Sequence, residues 1–253
     1  MKYRYSVYTT IAALAALTSP LSIHAQETVT TTNKWQSSVA AGLTLTRGNS
    51  DTEVANLTFA TGKKWNQNEL DFGADGTYGK TKQNGDNQTT AESLHGFGQY
   101  NWLFTDRFYA YARVEGLHDG VAGVRYRLSL SPGAGYYFIK TKATQLSGEF
   151  GPGFIVQKLA DEDQNTYATL RLGEKFNQAL SDHARLWQTA EILPQVDKFD
   201  NYIVNFEIGI EADISSSKKL SLRSYLQDIY NHRPAPGRLK NDAKLVTAIA
   251  YKF

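Results

Sequence analysis

Side chains alternate with a period of two along residues 241–253, and this alternation constrains the fold more than any other feature of the sequence. One set is mostly apolar or aromatic: Leu245, Thr247, Ile249, Tyr251 and Phe253. The set between them is small or basic: Lys244, Val246, Ala248, Ala250 and Lys252. A period of two predicts a β-strand with one apolar face and one face that accepts charge. Such a strand fits either the last strand of a soluble β-sandwich or a closed membrane barrel, which has no free edge.

Similar runs of ten or more residues fill the rest of the chain, separated by turn-forming segments. We predict twelve strands, at residues 35–46, 52–64, 69–80, 90–103, 108–117, 123–138, 144–158, 166–178, 183–195, 202–214, 220–231 and 241–253. Sandwich strands are typically about five or six residues long, whereas a tilted membrane-crossing strand needs roughly nine to eleven. An even number of strands also suits a single-chain barrel. The sequence therefore predicts an all-β fold, a single transmembrane up-and-down antiparallel β-barrel over residues 35–253.

Aromatic residues near the predicted strand ends support a membrane location. They are Trp35, Trp65, Trp102, Phe104, Phe138, Phe176, Phe199, Tyr202 and Phe253. At strand ends such residues would form the aromatic belts of the two membrane interfaces. Tight periplasmic turns are predicted at Asn66, Thr105, Thr141, Ser181 and Ser216. Longer, polar extracellular connections are predicted after the third, seventh, ninth and eleventh strands.

The N-terminus has the composition of a secretory signal peptide. We predict this signal over residues 1–25, with Lys2 and Arg4 before a short apolar run and cleavage after Ala25. Residues 26–34 are predicted to be a polar lead-in. The remaining chain has 25 basic and 25 acidic residues, a balance that argues against nucleic acid as a partner. The absence of cysteine excludes a disulfide framework, and no segment after the signal approaches the roughly 20 apolar residues of a membrane-spanning helix.

The predicted inward faces carry charges of both signs. They are Asp71, Asp75, Arg113, Glu115, Arg125, Arg127, Glu149, Arg171, Lys175, Glu191, Glu207, Glu211, Arg223, Lys244 and Lys252. A barrel of eight strands has a filled interior and one of sixteen has a channel, so a barrel of twelve strands could have either. Two predictions for the interior charges follow. The charges form a plug of ion pairs, or they line a narrow porin-like channel for small solutes. In the channel, opposing walls would set selectivity: Arg113, Arg125, Arg127 and Arg171 against Glu149, Glu207 and Glu211.

A lipid hydrolase at the outer rim is a third alternative. Its candidate residues are His118, Asp119, Ser181, Asp182, His183 and His232. No serine lies near His232 in the sequence, and no Gly-x-Ser-x-Gly motif is present, so we predict that the protein is not an enzyme. The acidic residues 161–165 offer oxygen ligands for calcium but lack the glycine and terminal glutamate of an EF-hand loop. We predict no metal site and no cofactor.

Two segments resemble a known family. Residues 41–59 (AGLTLTRGNSDTEVANLTF), with the turn Gly48–Asn49–Ser50, resemble the opening strand pair of the outer-membrane family catalogued as domain of unknown function 481. Residues 228–253 resemble its closing hairpin, including Tyr230, Asn231, Pro234, Pro236, Asp242 and the final Tyr-Lys-Phe. Members of this family are often labelled salt-induced outer-membrane proteins.

The resemblance implies a fold and a location, but no established chemistry. It implies a barrel in the outer membrane of a Gram-negative bacterium, in contact with outer-membrane lipid and lipopolysaccharide, with a role in the envelope response to salt. The aromatic last strand also looks like the sorting signal of outer-membrane barrels. We therefore expect Tyr251 and Phe253 to be an assembly signal for the barrel-assembly machinery.

Overall fold

The computed structural model describes residues 33–46, 51–83 and 86–253, which form an all-β barrel. Its strands are β1 (Gln36–Thr46), β2 (Asp51–Trp65), β3 (Asn68–Gln83), β4 (Asp86–Leu103), β5 (Phe108–Asp119), β6 (Val124–Lys140), β7 (Thr144–Leu159), β8 (Asn165–Ser181), β9 (Ala184–Gln195), β10 (Lys198–Asp213), β11 (Leu220–Asn231) and β12 (Asn241–Lys252). The predicted signal peptide, residues 26–32 of the lead-in and the Gly48–Asn49–Ser50 turn lie outside the described residues.

Each strand pairs antiparallel with its neighbours in the sequence, and β1 pairs with β12 to close the cylinder. This arrangement confirms the predicted twelve-stranded antiparallel barrel. Closure gives every strand two partners, so the apolar last strand has no free edge. Within the described residues, no helix is long and apolar enough to cross a membrane.

The barrel begins and ends at the same side of the cylinder, which we call the terminal end. Ser37 and Phe253 exchange backbone hydrogen bonds of 2.9 and 3.2 Å there. The connections after even-numbered strands also lie at the terminal end, and those after odd-numbered strands lie at the opposite end, which we call the loop end. The long connections predicted after the third and ninth strands are wrong. Their polar residues extend the antiparallel ladders instead, out to Gln83↔Asp86 and Gln195↔Lys198, because the backbone groups find cross-strand partners.

The outer face of the barrel is apolar along most of its height. Exposed residues on this face include Leu43, Leu57, Phe59, Phe72, Leu94, Val114, Leu128, Leu130, Phe150, Phe154, Leu172, Ile208, Ile210, Leu226, Leu245 and Ile249. Exposed aromatic residues lie near the terminal end: Trp35, Trp102, Phe104, Phe108, Phe138, Tyr251 and Phe253. The Lys63 ammonium lies 5.8 and 5.6 Å from the ring centres of Trp35 and Trp65. An apolar band with aromatic rings at its edge is typical of a surface that faces lipid.

Strands β6 and β7 approach each other closely at Gly151. A methyl group on Gly151 would lie 2.1 Å from the Pro132 carbonyl oxygen and 2.6 Å from the Gly133 Cα, so backbone atoms would have to move. We expect Gly151→Ala to lower the free energy of unfolding by roughly 1–3 kcal/mol, the usual effect of overpacking. Urea unfolding of the refolded protein measures this loss. Gly96→Ala is the matched control, since its new methyl would meet no atom closer than 3.6 Å; equal losses in both variants would contradict the explanation.

Candidate functional site: the charged interior of the barrel

Glu149 on β7 lies at the centre of the interior network. Its neighbours Gly148 and Phe150 face outward, and the period of two turns Glu149 inward, where it is only 4% exposed. Its two carboxylate oxygens accept hydrogen bonds from Gln99 Nε2 (2.7 Å), Tyr109 Oη (2.9 Å), Arg171 Nη1 (2.7 Å) and Lys175 Nζ (3.0 Å). Two cations and two neutral donors therefore satisfy this buried carboxylate, as a buried charge requires.

This network crosses the lumen rather than following one wall. Lys175 on β8 also donates to Gln99 Oε1 on β4 at 2.9 Å, although three strands separate β4 from β8 around the barrel. On its other side, Arg171 Nε donates to Glu191 at 2.8 Å, and Glu191 accepts from Asn205 on β10 at 2.7 Å. Side chains from six strands thus form one connected polar layer between opposite walls.

A second cluster surrounds His95. Its Nδ1 lies 2.9 Å from Asp75 and its Nε2 lies 2.9 Å from Glu115, and both ring nitrogens can donate only when the imidazole is protonated. Arg113 contacts the other oxygen of Glu115 at 2.8 Å, while Lys244 on β12 lies 3.5 Å from Asp75. Since Arg113 also reaches Gln99 at 3.4 Å, the His95 cluster is continuous with the network around Glu149.

Two further clusters lie nearer the terminal end. Glu69, buried, accepts from Lys64 (3.2 Å), Asn101 (3.1 Å) and Tyr137 (2.7 Å). The other cluster is centred on Glu211, which is 1% exposed and accepts from Arg185, Ser221, Arg223 and Lys252 at 2.7–3.1 Å. Lys252 belongs to the closing strand, so this second cluster also attaches β12 to β10.

Glu207 and Arg127 are inward but have no ionic partner in the described part of the chain. Glu207 accepts from Trp187 Nε1 at 2.7 Å and from Gln227 at 3.4 Å. Arg127 is buried and donates through Nε to Gln157 at 2.9 Å, and its Nη2 has no hydrogen-bond partner. Neither residue joins the layer that crosses the lumen.

Arg125 was predicted to face the lumen together with the other interior charges, but it does not lie there. The β6–β7 register shifts between Val124 and Tyr126, which leaves Arg125 as an extra residue in the ladder. Val124 is buried and Arg125 is exposed, because such an irregularity interrupts the alternation of faces. The structure therefore brings together Arg113, Arg171 and Glu149, and it separates Arg125 from them.

Five inward residues of this network were not identified as site residues from the sequence. They are the neutral Gln99, Asn101, Tyr109 and Tyr137 and the half-buried His95. They supply the hydrogen bonds that satisfy Glu69, Glu115 and Glu149. A signal for them exists in the sequence. Residues 95, 99 and 101 on β4 follow one period of two, as do Tyr109, Arg113 and Glu115 on β5.

The hydrolase candidates are not assembled into a catalytic arrangement. His118 Nδ1 donates to the Arg125 carbonyl at 2.8 Å, and His232 lies against the Tyr202 ring, with 5.1 Å between ring centres. Ser181 and His183 lie at the terminal end, where Ser181 Oγ accepts the His183 backbone N–H. In the part of the chain that the structure describes, no serine hydroxyl hydrogen-bonds to His118 or His232. Nor does any group of three or more His, Asp or Glu residues there have the arrangement of a metal site.

Several known proteins are similar to this chain. The translocator domain of the autotransporter NalP from Neisseria meningitidis is 14% identical, with 87% of both chains covered and a TM-score of 0.45. The NanC porin is 7% identical over 86% of this chain and 98% of its own, with a TM-score of 0.49. The KdgM porin in complex with disordered oligogalacturonate is 8% identical over 86% and 99%, with a TM-score of 0.47.

Among curated protein sequences, none matches this chain. A family match covers residues 39–253 and confirms the resemblance found in the opening strand pair and the closing hairpin. The chain therefore belongs to DUF481, a family described as proteins of unknown function.

Proposed function

We propose that the protein is a non-enzymatic barrel of the bacterial outer membrane whose lumen is closed by the polar layer around Glu149. The terminal end faces the periplasm, and the exposed apolar band contacts outer-membrane lipid and, in the outer leaflet, lipopolysaccharide. The location in a membrane is supported by an outer face that would be unfavourable in water and by an interior in which most charges are paired.

The proposal that the lumen is closed rests on one observation, the contacts of Lys175 with both Glu149 and Gln99. They join β8 to β7 and to β4, so a long side chain and its partners occupy the space through which a solute would pass. Lys175 keeps 30% of its side chain exposed, so its ammonium retains some water while it bridges the lumen. A closed barrel favours a structural role in the envelope over the general passage of solutes.

We expect the refolded wild-type protein to give no stable conductance steps in a planar lipid bilayer. Lys175→Ser removes the side chain that crosses the lumen and leaves Glu149 paired with Arg171, so this variant is expected to conduct ions. Lys64→Ser is the matched control, because Lys64 lies near the terminal end with 46% of its side chain exposed. Stable conductance by the wild type would overturn the closed barrel and favour the narrow channel for small solutes.

The same proposal gives Tyr251 and Phe253 a role in assembly. Both side chains are exposed on the outer face at the terminal end, with 6.1 Å between ring centres. They are therefore accessible to the barrel-assembly machinery from the periplasmic side.

A further inference from the structure

Glu174 is a charged residue on the outer face of the barrel, in the middle of β8. Arg171 and Lys175 contact Glu149 inside the lumen, so the alternation turns Leu172 and Glu174 outward. The cross-strand register agrees, because Leu172 pairs with the exposed Phe150, and Glu174 pairs with Gly148 and Ala190.

The position of Glu174 prevents it from reaching water along the outer face. It lies seven residues from the end of β8 at Ser181, about 16 Å from the terminal end for a strand tilted by roughly 45°. Lys63 shows the usual solution for an outward charge, because its ammonium lies among tryptophans at the edge of the apolar band. A glutamate in the middle of a strand has no such route, and an unsatisfied polar group is strongly unfavourable in lipid.

Gln188 on β9 supplies the nearest polar group to Glu174. Its Nε2 donates to Glu174 Oε2 at 3.4 Å, and no cation forms an ion pair with Glu174 in the described residues. At this distance the bond is weak, and it uses one of the two amide N–H donors of Gln188 and one of the four acceptor positions of Glu174. Both side chains therefore keep unused hydrogen-bonding capacity on the outer face.

We propose that the outer face of β8 and β9 around Glu174 and Gln188 binds a second copy of this chain within the membrane. Two-fold symmetry places the Gln188 amide of one copy against the Glu174 carboxylate of the other, so one patch supplies both the donor and the acceptor. Ala190, beside Glu174 in the ladder, is too short to hold the two sheets apart. A lipid chain offers no hydrogen-bond donor to Glu174. The inference rests on the proposed membrane-spanning barrel.

Single-cysteine variants test this contact directly, because the natural sequence has no cysteine. Ala190→Cys on β9 places a thiol in the proposed contact, and Leu57→Cys places one on the exposed face of β2, five strands away from β9 around the barrel. In lipid vesicles at low protein density, oxidation is expected to cross-link Ala190→Cys into dimers and to leave Leu57→Cys monomeric. Equal cross-linking of the two variants, or none at Ala190→Cys, would overturn the proposed contact.

Substitutions of the polar pair separate a specific contact from chance proximity. In the Ala190→Cys background, Glu174→Leu and Gln188→Leu are each expected to lower the dimer yield several-fold, whereas Glu174→Gln keeps hydrogen-bonding groups and most of the yield. If the barrel is a monomer in lipid, Glu174→Leu leaves the cross-linking yield unchanged and raises thermal stability by removing a polar group from lipid. That result would contradict the proposal.

A fluorescent label on Leu57→Cys tests the membrane placement independently. Quenching of this label by nitroxide-bearing lipids supports a lipid-facing wall, so a missing Ala190→Cys cross-link would then count against the dimer alone. An unquenched label at Leu57 would overturn the membrane-spanning barrel itself, and the dimer proposal with it.

Discussion

Replacing Glu149 with alanine is expected to lower the free energy of unfolding by about 3–5 kcal/mol, the usual effect of removing one partner from a buried ion pair. Arg171, which is 3% exposed, and Lys175 would then lose the carboxylate that both contact. Arg171 keeps Glu191 at 2.8 Å, but Lys175 keeps only the neutral Gln99. Urea unfolding in detergent micelles, followed through the four tryptophans, measures the loss.

Second substitutions identify the cause of this loss. Glu149→Gln keeps the shape and most hydrogen bonds, so we expect a smaller destabilisation than for alanine. Lys175→Ala combined with Glu149→Ala removes the cation left without a carboxylate, and the double variant is expected to be more stable than the sum of the two single effects indicates. Arg233→Ala, which breaks the exposed pair with Asp200, is expected to have no measurable effect. Additive losses for Glu149 and Lys175 would show that the two residues do not act as a pair.

The strand architecture could be predicted because each strand carries its own pattern. In β10, the apolar residues Tyr202, Val204 and Phe206 alternate with Asn205 and Glu207, and these two inward residues contact other interior residues. The number of strands, their antiparallel order and the closing role of β12 follow from these local patterns and short connections. The family match was likewise foreseen from the first and last hairpins.

Irregularities within a strand were not predictable in this way. One extra residue near the start of β6 places Val124 inside and Arg125 outside, and no residue type in that segment marks the shift. The polar residues that follow the predicted third and ninth strands look like loops in the sequence. Whether such residues form a loop or extend a ladder depends on the backbone partners that the neighbouring strand offers. The residue types in one segment of the sequence do not reveal those partners.

Pairing across the lumen was the least predictable feature. The sequence indicated that Glu149, Arg171 and Lys175 face inward, but contact between β8 and β4 depends on the stagger and diameter of the closed barrel. His95 illustrates the same limit, because its partners Asp75 and Glu115 come from strands on either side of it. Glu174 differs from these residues, because it is charged and yet lies on the apolar outer face.

Replacing Tyr251 and Phe253 together with alanine is expected to lower the amount of barrel in the outer membrane several-fold and to leave export to the periplasm unchanged. In the described residues, β12 pairs with β1 over four residues, from Ser38↔Lys252 to Ala41↔Ile249, but with β11 over eleven. The closing ladder is thus the short one, and the two exposed rings lie beside it. Cell fractionation with an antibody to the barrel measures the assembled and periplasmic amounts.

Refolding in detergent separates recognition of the two rings from their effect on stability. The double variant keeps Lys252, whose ammonium contacts Glu211 at 2.7 Å, so the interior of the seam is unchanged. We expect it to refold in detergent as well as the wild type, because both rings lie outside the barrel. Ile249→Ala, which shortens another exposed residue of β12, is the matched control and is expected to assemble normally in cells. Poor refolding in detergent would assign the rings to barrel stability, and normal assembly of the double variant in cells would show that they are not an assembly signal.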